Sequence, residues 1–512
     1  MRMLRTCILC LRNHLPKIGA QNGLCHRQFA SGISAESTGR FPPSCFLNQK
    51  LSSFSNRHAS DNSKAQLFKP RHFSSALYTP LSEADHAPFV LKPEIDFEGM
   101  FEDLGELEKN LEARGHKFNV SKLLSLWEQL QSFEQEKSCI EERRANVNED
   151  IKQLKKKGGA KKQRDKLQQL GKSLREELRH VNSSIASLSD EFYPTALKLP
   201  NKLHPAVPHG STPKILETFG ADREEKALKS AEFPERSFMT KSHPMSHAGY
   251  AYLEHDAALM ELALTQWATQ ELLQQGFTPF TCPAMYKSLA LESLGLEPES
   301  NNETYAIETN ENVQYLAGVS PLNFIAYFMM SVLEVADLPY RCFTVGRSYN
   351  NHLESTHFEG LHKSFQTQKV EMCGVCENTE AASSALFTQF LSTAKGLLSN
   401  LPLHYRIVEV PSAHLLPSMY RKCAIEVWIP DAGTFSEVTS VSSCTDYISR
   451  RVKIRYPAMP SQTAAQSRKR NFPCTVHCTA LDTSTILAAL LPCAHQQLPE
   501  VLKLHMPQAV SS

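Results

Sequence analysis

From Phe97 to Tyr193 the chain contains no proline, and its apolar residues return every seven positions. Leu126, Phe133, Ile140, Val147 and Leu154 carry the repeat in the first half. Leu167, Leu174, Val181 and Leu188 carry it in the second, supported by Leu178 and Ile185. Seven residues are close to two turns of α-helix, so each set forms one apolar stripe that must be buried against the other. The halves join at Gly158-Gly159, a pair that breaks helix. The pattern predicts an antiparallel coiled-coil hairpin.

Lys152, Lys155, Lys156, Lys157, Lys161, Lys162, Arg164 and Lys166 surround that join, with Asp165 the only acid between Lys152 and Lys166. A charge run on a coiled coil is commonly solvated surface. Concentration at one end of the hairpin favours phosphate binding instead. No aromatic residue for base stacking lies among them, so the expected contact is to backbone and shape, not to base sequence.

The remaining chain sets wider bounds. Its 512 residues can hold two or three domains, and a net charge of +1 announces no global field for nucleic acid. No run of 18 apolar residues is present, so no membrane span is expected. The 14 cysteines show no framework spacing and read as free thiols. The first 73 residues are rich in Arg, Ser, Phe and Leu, with only Glu36 and Asp61 as acids. That composition predicts a disordered mitochondrial presequence and a matrix address. Arg71-His-Phe-Ser74 and Arg27-Gln-Phe-Ala30 are alternative cleavage sites. The expected divisions are 1–73 presequence, 74–193 arm region, 194–250 linker and 251–505 core. Prolines 194, 200, 205 and 208 mark the linker and forbid a continuing helix.

In the core, Ile425, Val427 and Ile429 alternate with Glu426 and Trp428, as a strand requires. Pro430-Asp-Ala-Gly433 reads as a turn and Thr434 to Thr439 as the returning strand, which brings Glu426 near Glu437. Like charges opposed in a sheet call for a cation between them. The same stretch contains Tyr420-Arg-Lys422, Glu437-Val-Thr-Ser440 and Cys444-Thr-Asp-Tyr-Ile-Ser-Arg-Arg451. Residue by residue it resembles the serine-site hairpin of seryl-tRNA synthetases, the mitochondrial branch in particular. The Phe192-Tyr193, Leu199-Pro-Asn201, His204-Pro205 and Val207-Pro208 spacing is similar to the same family's link after its arm. A helix candidate at 254–275, with Gly276 and the strand-like Phe277 to Pro283, resembles motif 1 of class II synthetases, which forms their dimer interface. The resemblance implies an α+β fold: a class II synthetase-like antiparallel sheet flanked by helices and preceded by the coiled-coil arm.

The resemblance also exposes departures. Where the family clasps the serine amine with a Thr-x-Glu, this chain has Val319 and Pro321, neither of which can pair an ammonium. Leaving such a group unpaired costs about 1–3 kcal/mol or more. Arg347 takes the place of the phosphate-binding arginine of motif 2, but Tyr349 replaces the glutamate after it, and the loop Asn350 to Glu359 holds no Arg or Lys. In motif 3 the arginine that lies on the ATP phosphates aligns with Thr485, the substrate-site Asn with His477, and the closing Glu with Pro492. Thr cannot imitate the charged fork of Arg. Glu371 and Thr479 match substrate-site positions, and Glu437 and Ser440 match metal-binding ones.

Losing one preorganised donor costs roughly 10²–10³ in rate, and three such losses together should exceed about 10⁵. The departures therefore resemble the non-catalytic insect mitochondrial branch of that family. The resemblance implies a protein that binds tRNA, tRNA(Ser) first among candidates, or another mitochondrial RNA, and has lost serine activation. It would pair as a homodimer, or as a heterodimer with the active mitochondrial synthetase, and need no cofactor. An active serine–tRNA ligase, which would use ATP and Mg²⁺, is the competing expectation; a structural dimer partner is the third. Cys373-Gly-Val-Cys376 has zinc-like spacing, and Cys474, His477, Cys478, Cys493 and His495 lie near the C-terminus, but no second Cys-x-x-Cys completes a four-thiolate set. No metal is expected there.

Overall fold

The computed structural model of the chain describes residues 77–78, 91, 93–156, 161–220, 239–240, 251–298, 304–308, 313–318, 320–349, 360–457, 470–491 and 499–506. Residues 1–73, where the sequence predicts a presequence, the Gly158-Gly159 join, Lys157, Val319, the loop 350–359, Pro492, Cys493 and His495 lie outside the described residues.

A short helix, α1 (Leu104–Ala113), precedes two long ones, α2 (Val120–Lys156) and α3 (Lys161–Ala196). Leu126, Ile140 and Val147 of α2 bury themselves against Leu174, Val181 and Ile185 of α3, with Phe133, Leu167, Leu178 and Leu188 partly covered beside them. This is the stripe that the seven-residue period requires. At the arm base the Phe97 ring meets Phe192 edge-on (4.9 Å) and Trp127 at a tilt (5.3 Å), geometries that aromatic quadrupoles favour. The sequence places a helix stop at Pro194, but α3 includes it and ends at Ala196. A proline in the last turn forfeits one hydrogen bond there instead of breaking a long ladder.

Eight strands make the central sheet: β1 Lys214–Phe219, β2 Thr278–Phe280, β3 Tyr340–Tyr349, β4 Gln366–Cys376, β5 Tyr405–Glu409, β6 Arg421–Ile429, β7 Thr434–Thr445 and β8 Cys474–Asp482. Their order is β1-β5-β6-β7-β8-β4-β3-β2. Every neighbouring pair is antiparallel except β2 with β3. Pro279 is tolerated because β2 is an edge strand. β1 falls within residues that the sequence assigns to a linker. It is a short, mostly exposed edge strand after a proline-rich segment, so it buries too little to leave a hydrophobic signature.

One face of the sheet is covered by α4 (His255–Gln274), α6 (Glu380–Ser399) and α7 (Thr483–Leu490); the intervening α5 (Pro321–Phe328) belongs to the other side. Ile425, Val427 and Ile429 point into the first layer and pack in one cluster with Trp267, Phe390, Leu487 and Met372. Burying each such aliphatic side chain contributes about 1.5–3 kcal/mol. The period-two alternation then obliges Lys422, Ala424, Glu426 and Trp428 to face the other way. The same alternation puts Cys373 and Cys376 on opposite faces of β4, so the two thiols cannot share one ion.

Candidate functional site

The site is the sheet face turned away from α4, α6 and α7. Thr344, Glu371, Thr479, Ser440 and Ala424 are successive ladder partners across β3, β4, β8, β7 and β6, and form one row on it. Cys342, Cys373, His477, Ser442 and Lys422 form the next. A bulge at Val438 restores Glu437 to this face, directly opposite Glu426. The fold thus brings Glu371, Thr479, Glu437, Ser440 and His477 together from three strands far apart in sequence.

Their electrostatics are closed internally. The Thr479 hydroxyl donates to Glu371 Oε1 at 2.7 Å. Burial lifts the Glu371 carboxyl to about 7, although Lys369 and the Thr479 hydroxyl pull it down. Burial also acts to raise Glu437, yet the charge and hydrogen bond of Lys422, the Ser440 hydroxyl and Lys369 together hold it below the usual carboxylate range. Lys422 Nζ lies 2.8 Å from Glu437 Oε2, Arg406 Nε 2.7 Å from Glu426 Oε2, and Lys369 Nζ 3.7 Å from Asp482 Oδ2. These are the cations that the described strands present on this face, and each already has a carboxylate. His477, where the resemblance places an Asn, is buried; desolvation lowers it to about 4, and neither ring nitrogen has a hydrogen-bond partner.

Other sequence-selected positions lie elsewhere. The ladder pairs Arg347 with Gln368, on the face opposite Glu371. There its guanidinium forks onto Glu261 of α4, Nη1 to Oε1 at 2.9 Å and Nη2 to Oε2 at 3.1 Å. Pro321 is the first residue of α5, a position for which its fixed φ suits it. Tyr349 closes β3, and its amide donates to Ala317 O at 3.2 Å. Gly318 binds the same strand end at φ +64°, where a Cβ would stand 2.1 Å from Arg347 O. Thr485 is buried in the first turn of α7, its amide donating to Asp482 Oδ1 at 3.1 Å. A helix N-terminus attracts phosphate, but the chain's own Asp482 caps this one, with the Thr367 hydroxyl on the same oxygen at 2.7 Å.

Glu261, Lys369, Lys422, Arg406 and Asp482 escape attention in the sequence as site residues. Asp482 carries a signal, a carboxylate just before Thr483-Ser-Thr485 as an N-cap. Lys422 and Glu426 share a face by even spacing; Glu261 gives no local sign. Among the described residues this face offers a triphosphate no arginine free of a carboxylate. A divalent cation at Glu437 and Ser440 would have to displace the Lys422 ammonium. Among the described residues no group of three or more His, Cys, Asp or Glu side chains is arranged to hold a metal ion. No described helix is long and apolar enough to cross a membrane.

At the tip end of the arm, Lys152, Lys155, Lys156, Lys161, Lys162 and Lys166 are exposed and Arg164 half-buried. Lys152 has Glu149 at 3.7 Å.

A largely antiparallel sheet with its main helices on one face is the core of class II aminoacyl-tRNA synthetases, and here it follows a coiled-coil hairpin. The profile of the seryl-tRNA synthetase N-terminal domain matches residues 95–203. A mitochondrial serine–tRNA ligase of Bos taurus is 32% identical over 395 residues, covering 74% of either chain. That of Mus musculus is 30% identical over 438 residues, covering 80% of this chain and 81% of its own. Among solved structures, seryl-tRNA synthetase from Pyrococcus horikoshii complexed with ATP superposes with a TM-score of 0.68 at 21% identity, over 80% of this chain and 98% of its own. The chain belongs to the seryl-tRNA synthetase family.

Proposed function

We propose that this protein is a mitochondrial, tRNA-binding member of the family that no longer activates serine. The observation that carries the reading is the closure of charge on the site face: Lys369, Lys422 and Arg406 each hold a carboxylate, and Arg347 is turned to Glu261 on the opposite side. ATP activation needs cations aimed at a polyphosphate and available to it. The basic arm end supports RNA binding, with tRNA(Ser) the first candidate and another mitochondrial RNA the second. The names of the Bos taurus and Mus musculus relatives and the Arg-rich first 73 residues support the mitochondrion, and within it the matrix. Leu262 and Leu273, exposed on α4, support pairing through this helix with a second copy or with an active synthetase.

A competing reading, an active serine–tRNA ligase, draws on Glu371, Thr479, Glu437 and Ser440 sharing one face. Serine-dependent ATP–pyrophosphate exchange, run beside filter retention of tRNA, separates the two. Retention without exchange is the expected result, and exchange would return the protein to the ligases.

A further inference from the structure

The helix in front of the arm ends on a left-handed glycine. The amides of Gly115 and His116 return to the carbonyls of Glu112 and Leu111, each at 2.9 Å, with Gly115 at φ +73°. This closure suits glycine and stops the helix sharply. It leaves Arg114 as the C-cap residue, buried between the arm region and the sheet domain and 6% exposed.

The Arg114 guanidinium donates to Leu416 O (3.2 Å) and Met419 O (2.6 Å), on the approach to β6. It also donates to Asn201 O (3.1 Å), in the segment leaving the arm, and through Nε to Asn110 Oδ1 (3.1 Å). Its described hydrogen-bond partners are all carbonyl or amide oxygens. Burial lowers its pKa to about 10, which leaves it a cation at neutral pH. A buried cation without a carboxylate weakens a fold. What a planar five-donor group supplies in return is fixed geometry among the segments it grips.

Two further residues tie the same segments. Asn201 Nδ2 lies within hydrogen-bonding distance of Ser418 O and Cys444 O (2.9 Å each) and of Thr445 Oγ1 (3.0 Å), three acceptors that share its two hydrogens. From the sheet side, buried Arg451 donates to Leu197 O (3.2 Å) and Leu199 O (3.3 Å). The root of the arm is thereby fastened to both outer ends of the β6–β7 hairpin.

We propose that Arg114 is a positioning residue, which sets the angle at which the coiled-coil arm leaves the sheet domain and so places the basic tip against a double-helical RNA. The angle stands on the geometry of the joint alone; its consequence for RNA rests on the function proposed above.

The test uses the full chain with genetically encoded spin labels at Gln163, on the arm, and Thr388, on α6. Arg114→Lys keeps the charge and loses the fork; Asn201→Ala loosens the same joint without touching Arg114. Each should broaden the Gln163–Thr388 distance distribution while far-UV circular dichroism stays at the parent's value. Affinity for tRNA should fall by about tenfold, with an unchanged salt slope, because the tip still neutralises the same phosphates. A parent-like distribution in Arg114→Lys overturns the proposal, whatever Asn201→Ala shows. A broadened distribution with undiminished affinity removes the RNA consequence. A parent that retains no tRNA removes the RNA-binding reading while leaving the joint supported by the distances.

Discussion

Glu426 and Glu437 stand directly opposite one another across β6 and β7, and each is held by a different cation, Arg406 on one side and Lys422 on the other. Two carboxylates so placed repel unless positive charge intervenes. Here the chain supplies that charge itself, and the supply consumes what a phosphate-binding face would offer to a ligand.

Replacing Lys422 by Ala should therefore destabilise the hairpin through Glu437 facing Glu426. Glu437 is partly exposed, so solvent screens the effect to about 1 kcal/mol. Urea denaturation at low salt should show the loss, and high salt should shrink it. Glu437→Gln in the Lys422→Ala background should recover most of it.

The Arg347–Glu261 pair should respond unequally to truncation. Arg347→Ala leaves Glu261, mostly buried, without its fork and should cost about 2 kcal/mol. Glu261→Gln leaves a cation with water access and should cost less. If Arg347 served nucleotide binding, its removal would lower ATP affinity with little change in melting temperature, the reverse of what is expected.

Stability should depend on pH through two buried groups. Glu371 is raised to about 7 from an ordinary value near 4.5, so the folded state holds its proton longer than the unfolded one. Its contribution is lost as pH rises through that window, and Glu371→Gln should gain on the parent between pH 5 and 8. His477 is lowered to about 4 from 6.5, so the unfolded state takes up its proton first and stability falls as pH drops below 6.5. His477→Asn should remove that acid-side loss. Thermal melts across pH 4 to 8 check both signs.

Much of the architecture is legible in the residues themselves. The seven-residue repeat specifies the arm, because a coiled coil states its packing in its own periodicity. Ile425, Val427 and Ile429 mark the buried face of β6, and the turn at Pro430 sets Glu426 opposite Glu437. What stays hidden depends on ladder register. The sequence resemblance assigns Arg347 to a phosphate-binding position, and pairing with Gln368 puts it on the face opposite Glu371. Asp482, Lys369 and Glu261 acquire their partners only where distant segments meet. β1 leaves no mark because an exposed edge strand buries almost nothing.

Reversing Lys155, Lys156, Lys161 and Lys162 to Glu should weaken tRNA retention across RNA sequences alike. The slope of log affinity against log salt should fall by roughly 0.7–0.9 for each phosphate that is no longer neutralised. Retention and slope that both match the parent would take RNA binding away from the arm.

Serine-dependent ATP–pyrophosphate exchange is the most direct measurement, run with Mg²⁺ and beside an active serine–tRNA ligase as control. The paired cations of the site face predict exchange indistinguishable from a no-serine blank while the control turns over. Sustained exchange that rises with serine concentration would contradict the account.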